Sequence, residues 1–164
     1  KDLQAQKMML DFKKKIHHIK TKTLKIQVKK KVYFQAIHTR MKTFTQGAMP
    51  IFALETAGGI DVAWDVKPSR NTNIAVYGKE QILAKGPQID VFLSQKGVMN
   101  AVSIKQIKNE PGFGVIKAVK NNQIYLIDEN IVSRPVPRLY KGIIAIGTIL
   151  YPDIFNQLKL TKEL

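Results

Sequence analysis

Apolar residues recur at two periods along this chain, and the change from one to the other marks its elements. Ala5, Met9, Phe12, Ile16 and Ile19 stand four, three, four and three residues apart, the stripe of an amphipathic helix over residues 2 to about 20. Lys13, Lys14 and Lys20 occupy its other face. From Leu24 the period drops to two through Ile26, Val28, Val32, Phe34 and Ala36, with lysines at 25, 29, 30 and 31 between them. Residues 31–37 are therefore expected as the first strand, and residues 22–30 are left unassigned. A polar loop over 38–46 precedes a helix from about residue 48 to residue 56, which tolerates Pro50 in its first turn and closes at Gly58-Gly59. Residues 60–65 form a short element around Trp64, and 67–73 read as a loop from their Pro, Ser and Asn content.

Residues 77–93 combine a short helix, a stop and a buried strand. Ile82 and Leu83 supply the helix with an apolar face, Gly86 is expected to take a left-handed cap, Pro87 blocks continuation, and Ile89, Val91, Phe92 and Leu93 favour a strand. Glu80 falls on the solvent side. A loop over 94–99 follows, then a helix capped by Ser103 and ending near Lys108, an interruption at Pro111-Gly112, and a second helical piece over 113–119. Asn121-Asn122 turns the chain into a strand over 123–127. Residues 137–151 make a strongly apolar helix stopped by Pro152, and 153–160 add a last amphipathic turn or two. Alternating strands and helices with short connections predict an α/β protein: a three-layer α/β/α sandwich with a mostly parallel, Rossmann-like sheet, preceded by a long N-terminal helix.

Composition narrows the possibilities. A chain of 164 residues, 45% apolar, can bury one good core and not two full lobes. It has no run of about 18 apolar residues such as a membrane span requires, and without Cys it has neither disulfides nor thiolate chemistry. The net charge of +15 is uneven: residues 1–45 hold 13 Lys or Arg against Asp2 and Asp11, a net of +11, whereas residues 46–164 hold 14 against 10, a net of +4. A basic module binding nucleic acid through residues 1–45 is one alternative, but no recognition motif or aromatic stacking platform accompanies the lysines. No nucleic-acid partner is expected.

The 77–93 stretch and five further segments in chain order resemble one family. The stretch 77–93 is similar to the one that places a docking glutamate on each lobe of the metal-chelate binding proteins serving ABC importers, the class handling iron-siderophores, haem and cobalamin. Lys31-Val-Tyr-Phe-Gln35 looks like the strand that opens the family's C-terminal lobe, and Thr56-Ala-Gly-Gly-Ile-Asp-Val-Ala63 like its glycine turn, with Asp61 where Asn is usual. Ile116-Lys-Ala-Val-Lys-Asn-Asn-Gln-Ile-Tyr-Leu-Ile-Asp128, Arg134-Pro-Val-Pro-Arg138 and Leu150-Tyr-Pro-Asp-Ile-Phe155 match further pieces. The resemblance implies that residues 1–22 are the end of an inter-lobe helix and 23–164 the C-terminal lobe of a two-lobed, extracytoplasmic binding protein whose N-terminal lobe is absent. It further implies an iron-chelate ligand, with haem, cobalamin or an oxyanion as alternatives, and ABC permease subunits as partners, met through Glu80.

Independently of the family, an open parallel sheet binds ligands beyond the C-terminal ends of its strands. The candidates there are His38, Arg40, Met41 and Lys42 after the first strand, Ser94 and Gln95 after the second, and Ser133, Arg134 and Arg138 after the third. Cations and hydroxyls dominate this set; Arg134 and Arg138 suit a carboxylate or catecholate chelate through bidentate hydrogen bonds. No catalytic residues are expected, because no Ser occupies a nucleophile elbow near a His. No metal site is expected either: neighbouring His17 and His18 point about 100° apart on a helix, and Asp61 and Asp65 flank Trp64 without a third ligand. Gly112-Phe113-Gly114 lacks the third glycine and the acid of a dinucleotide fingerprint. No cofactor is expected.

Overall fold

The computed structural model describes residues 2–68 and 70–160. Residue 1, residue 69 of the expected loop and residues 161–164 of the expected lobe lie outside the described residues. Helix α1 (Asp2–Thr23) leads into β1 (Lys31–Ile37), β2 (Lys42–Phe44), α2 (Met49–Thr56), β3 (Ile60–Asp61), β4 (Ile74–Val76) and α3 (Lys79–Lys85). There follow β5 (Val91–Lys96), α4 (Ile104–Lys108), α5 (Lys117–Lys120), β6 (Ile124–Asp128), α6 (Glu129–Val132), α7 (Leu139–Leu150) and α8 (Pro152–Leu160). The sheet runs β4-β2-β1-β5-β6, with β3 beside the start of β1. Pairings of β1 with β3, β1 with β5 and β5 with β6 are parallel, while β2 pairs antiparallel with both β1 and β4.

Period-two alternation explains the layers, because successive strand residues face opposite sides of the sheet. Val32 and Phe34 of β1, Val91 and Leu93 of β5 and Ile127 of β6 face a core roofed by Ile16 and Ile19 of α1 together with α2, α7 and α8. Tyr33, Phe92 and Ile124 face the other way, onto Ile82 of α3, Ile107 of α4, Phe113 of a 3-10 turn over Phe113–Val115, and Val119 of α5. The Phe92 ring meets Tyr33 edge-on at 5.1 Å, and each such ring contributes about 1.5–3 kcal/mol by leaving water. The expected three-layer sandwich with a mostly parallel sheet and a long leading helix is the fold observed. Local rules account for its ends: Ser103 Oγ accepts from Gln106 N at 3.2 Å while Gln106 Oε1 accepts from Ser103 N at 2.9 Å, a reciprocal cap at the start of α4.

Four expectations change. The 38–46 segment contains β2 and makes a hairpin with β1, and β4 adds a further edge strand. The second strand continues through Lys96, so Ser94 and Gln95 lie within β5. Gly86 is not left-handed; its φ is −47° and it opens a 3-10 turn over Gly86–Gln88. A Cβ at Gly86 would meet Ile116 Cγ1 at 3.3 Å, so close helix packing explains the glycine better than its turn freedom. At Gly58 the glycine is needed twice over: φ is +88°, and a Cβ would meet Thr23, Ile26 and Tyr151 at 3.1, 3.2 and 3.3 Å.

Candidate functional site

A bulge in β1 builds the C-terminal edge of the sheet. Gln35 pairs with Thr43, yet Ile37 pairs with the very next residue, Lys42, so β1 carries one extra residue at Ala36. The extra residue inverts the alternation. Ala36 and Ile37 both contribute to the first core, and His38 emerges on the same side as Gln35, with its ring 6.1 Å from Phe113 of the second core.

There His38 joins a buried polar network. Its Nδ1 lies 3.0 Å from Gln35 Oε1, its backbone N–H donates to Asn100 Oδ1 at 2.9 Å, and Asn100 Nδ2 donates to Ser94 Oγ at 3.2 Å and to the Gln95 carbonyl at 2.5 Å. Ser94 Oγ reaches Gln35 Oε1 at 3.4 Å. Gln35 and Ser94 are fully buried and Asn100 nearly so, and such groups are tolerated only when they satisfy one another. The Tyr33 hydroxyl also faces the Gln35 amide, although neither it nor Gln35 Nε2 has a hydrogen bond among the described residues in this amide orientation. Turning the amide over makes its oxygen the acceptor for Tyr33 and its nitrogen the donor to His38 and Ser94, which places the His38 proton on Nε2.

That nitrogen lies 3.4 Å from Glu110 Oε2, and the other Glu110 oxygen pairs with Lys79 of α3. Burial lowers the His38 pKa below its ordinary value, with Glu110 opposing the shift, so the ring is neutral at neutral pH. Tyr33, in the same interior, is held far above the ordinary phenol range by burial and then by Asp61.

The expected site residues divide into two groups. His38, Ser94 and Gln95 converge: Gln95 Oε1 accepts from Ser133 Oγ at 2.7 Å, which ties the segment after β6 to the end of β5. Ser94 is buried behind Asn100 and acts as a brace. Arg40 is exposed at the hairpin tip, whereas Met41, at φ +44°, packs on the second core and Lys42 belongs to β2. Arg134 and Arg138 are both exposed just beyond Ser133, and neither forms an ion pair among the described residues. Glu80 is exposed in the first turn of α3, and the Tyr77 N–H to Met41 carbonyl bond at 2.8 Å anchors that turn beside the hairpin tip. Its neighbours are engaged elsewhere, Lys79 with Glu110 and Lys85 with Asp65. Sequence reasoning missed Gln35, Asn100 and Glu110; the strand position of Gln35, polar amid Tyr33, Phe34 and Ala36, was the one available signal. Among the described residues no cluster of three or more His, Asp or Glu could hold a metal ion.

The sheet thus ends in a buried polar network around a neutral His38, with the exposed Arg40, Arg134 and Arg138 outside it. Residues 2–131 match the family model described as periplasmic binding protein, and the chain belongs to that family. It is 25% identical over 147 residues to the vitamin B12-binding protein of Vibrio cholerae, covering 89% of this chain and 49% of that protein. A possible iron-binding (periplasmic solute-binding) protein from Staphylococcus epidermidis superimposes with a TM-score of 0.73 at 27% identity, over 90% of this chain and 55% of that one. A periplasmic solute binding protein from Veillonella parvula gives a TM-score of 0.79 at 19% identity, over 98% and 48%. The chain thus spans about half the length of the relatives it matches along its own length.

Proposed function

We propose that this chain is one lobe of the extracytoplasmic solute-binding component of an ABC importer, that residues 1–22 end the helix joining it to a second lobe, and that 23–164 are the C-terminal lobe. The cargo in this reading is an iron complex, a ferric siderophore, delivered to permease subunits without chemistry on it. The observation that carries it is the pair of exposed guanidinium groups of Arg134 and Arg138 beyond the ends of β5 and β6, without an ion pair among the described residues, which could grip an anionic chelate. Membership of the family and the likeness to the Staphylococcus epidermidis protein support it. The likeness to the Vibrio cholerae protein favours cobalamin as the second reading. His38, Arg40, Met41, Lys42, Ser94 and Gln95 complete this wall of the pocket, directly or as its support.

Calorimetry on a two-lobed form carrying this chain, with ferric catecholates and hydroxamates, haem and cobalamin, tests the cargo. Arg134→Ala and Arg138→Ala should each weaken an anionic chelate by about 1–3 kcal/mol and spare neutral ligands. Unchanged affinity in both variants would remove the arginines from the pocket. For delivery, Glu80→Lys should reduce ligand-stimulated ATP hydrolysis by the reconstituted importer while ligand affinity stays constant, since Glu80 is exposed and forms no ion pair among the described residues. Full uptake with Glu80→Lys would return this glutamate to a plain surface role.

A further inference from the structure

The opposite end of the sheet is built on another principle. Residues 22–31 read Lys-Thr-Leu-Lys-Ile-Gln-Val-Lys-Lys-Lys, and the structure pins this segment chiefly by its backbone and by Thr23, with Lys31 Nζ alone among its ammonium groups donating to a side chain, Gln88 Oε1, at 3.3 Å among the described residues. Thr23 Oγ donates to the Thr56 carbonyl at 3.2 Å, the Lys30 N–H to Tyr151 Oη at 2.8 Å and the Lys31 N–H to Asp90 Oδ2 at 2.8 Å. Ile26 turns inward against Gly58, which leaves its period-two neighbours Leu24 and Val28 facing out, 74% and 84% exposed. Ile60, registered with Lys31 across β1 and β3, adds a third exposed aliphatic side chain at 42%. Lys117 and Lys120 of α5 lead into the start of β6 at this same pole. Three carboxylates lie nearby: Asp90, engaged by Lys117 at 2.6 Å, and the exposed Glu55 and Asp153, next to Thr56 at the end of α2 and in the first turn of α8; against them stand seven lysines, at 22, 25, 29, 30, 31, 117 and 120.

We infer that this pole is a docking surface for an anionic lipid bilayer. Single exposed apolar residues are ordinary, but a rigid ledge that holds Leu24 and Val28 outward between lysines matches the interfacial zone of a membrane, where aliphatic side chains enter the acyl boundary and ammonium groups meet lipid phosphates. A nucleic acid would use the lysines alone, since the exposed apolar groups here are aliphatic and offer its bases no ring to stack on. The surface lies at the end of the sheet remote from His38, Arg134 and Arg138, so the pose leaves the candidate ligand edge uncovered and does not depend on the cargo.

Co-sedimentation of this chain with vesicles of phosphatidylcholine, alone or mixed with phosphatidylglycerol, tests the inference. Binding is expected only to the mixed vesicles, weakened about fivefold by each of Lys25→Gln and Lys29→Gln. The double variant Leu24→Ser, Val28→Ser, with all its charges kept, should bind about tenfold more weakly and lose the remainder in high salt. Leu24, Lys25 and Val28 are exposed and Lys29 is only half-buried, so melting temperatures should stay constant and separate lost binding from lost folding. Equal binding to neutral and mixed vesicles, no binding to either, or unweakened binding by the Leu24→Ser, Val28→Ser variant would overturn it, the last outcome marking a generic polyanion patch.

Discussion

The two ends of one sheet solve the problem of displaying polar chemistry in opposite ways. At the C-terminal end Gln35, Ser94 and Asn100 are buried and bonded to one another, and the cations stand outside them. At the N-terminal end the segment 22–31 is held by its backbone N–H groups on the Tyr151 hydroxyl and the Asp90 carboxylate and by the Thr23 hydroxyl, while Lys22, Lys25 and Lys30 are exposed. A buried polar group is costly unless matched, so the first arrangement fixes geometry: His38 has its backbone and one ring nitrogen anchored before any ligand arrives. An exposed lysine costs nothing to leave free, so the second arrangement fixes only where charge is presented, not its direction.

The sharpest break of this contrast is Asn100→Ala. The side chain accepts from His38 N and donates to Ser94 Oγ and the Gln95 carbonyl, so its loss leaves buried partners short on two strands. The expected cost is about 3 kcal/mol of unfolding free energy in urea, whereas Lys25→Ala should stay within about 0.5 kcal/mol. Similar values for the two would show that the network is no tighter than the surface.

Asp61, on the short β3 that flanks the N-terminal end of β1, is the exception that sharpens the rule. Its Oδ1 accepts from Ala63 N at 3.0 Å, but Oδ2 is buried without a hydrogen bond among the described residues. Burial pushes its pKa from 3.8 up to about 6, the Ala63 N–H opposing. Because the folded value is the higher one, the native state takes up a proton more readily than the unfolded chain. Full stability is therefore present below the unfolded pKa, and it is lost as pH rises through about 6. Asp61→Asn should raise stability by up to about 3 kcal/mol at alkaline pH and leave it nearly unchanged near pH 4. Thermal melts across that range measure it; a parallel offset at every pH would mean that the carboxyl is not the source.

Much of this fold was legible because its signals are local. The apolar period of α1 and α7, the alternation of β1, and Ser103 with Gln106 three residues on each lie within a few residues of chain. β2 and β4 were not, since three residues show too little alternation to separate a strand from a loop. The Ala36 bulge is a property of pairing rather than of sequence, and it decides that His38 faces Gln35. Arg134 and Arg138 became candidates from their place after the third strand, a position that needs only the order of elements. Asn100 and Glu110 were missed because they lie in loops after β5 and α4 and meet His38, just past the end of β1, only in the folded molecule.

The gentlest test falls on Tyr151, the nearest thing at the N-terminal pole to Asn100 at the other. Its hydroxyl accepts from the Lys30 N–H at 2.8 Å and donates to the Gly58 carbonyl at 3.0 Å, bridging the lysine segment to the glycine turn. Burial raises its pKa, with the Lys30 N–H opposing, so it remains a neutral donor at neutral pH. Tyr151→Phe keeps the ring against Gly58 and deletes only the bridge. Lys30 is exposed, so water can replace its lost acceptor, and the cost should be about 1 kcal/mol. The loss should be local: hydrogen exchange at the Lys30 amide should speed up while the amides of β5 and β6 hold their protection. If Tyr151→Phe cost as much as Asn100→Ala, or loosened the central strands too, the lysine pole would be part of the buried framework and the two ends of the sheet would no longer differ in kind.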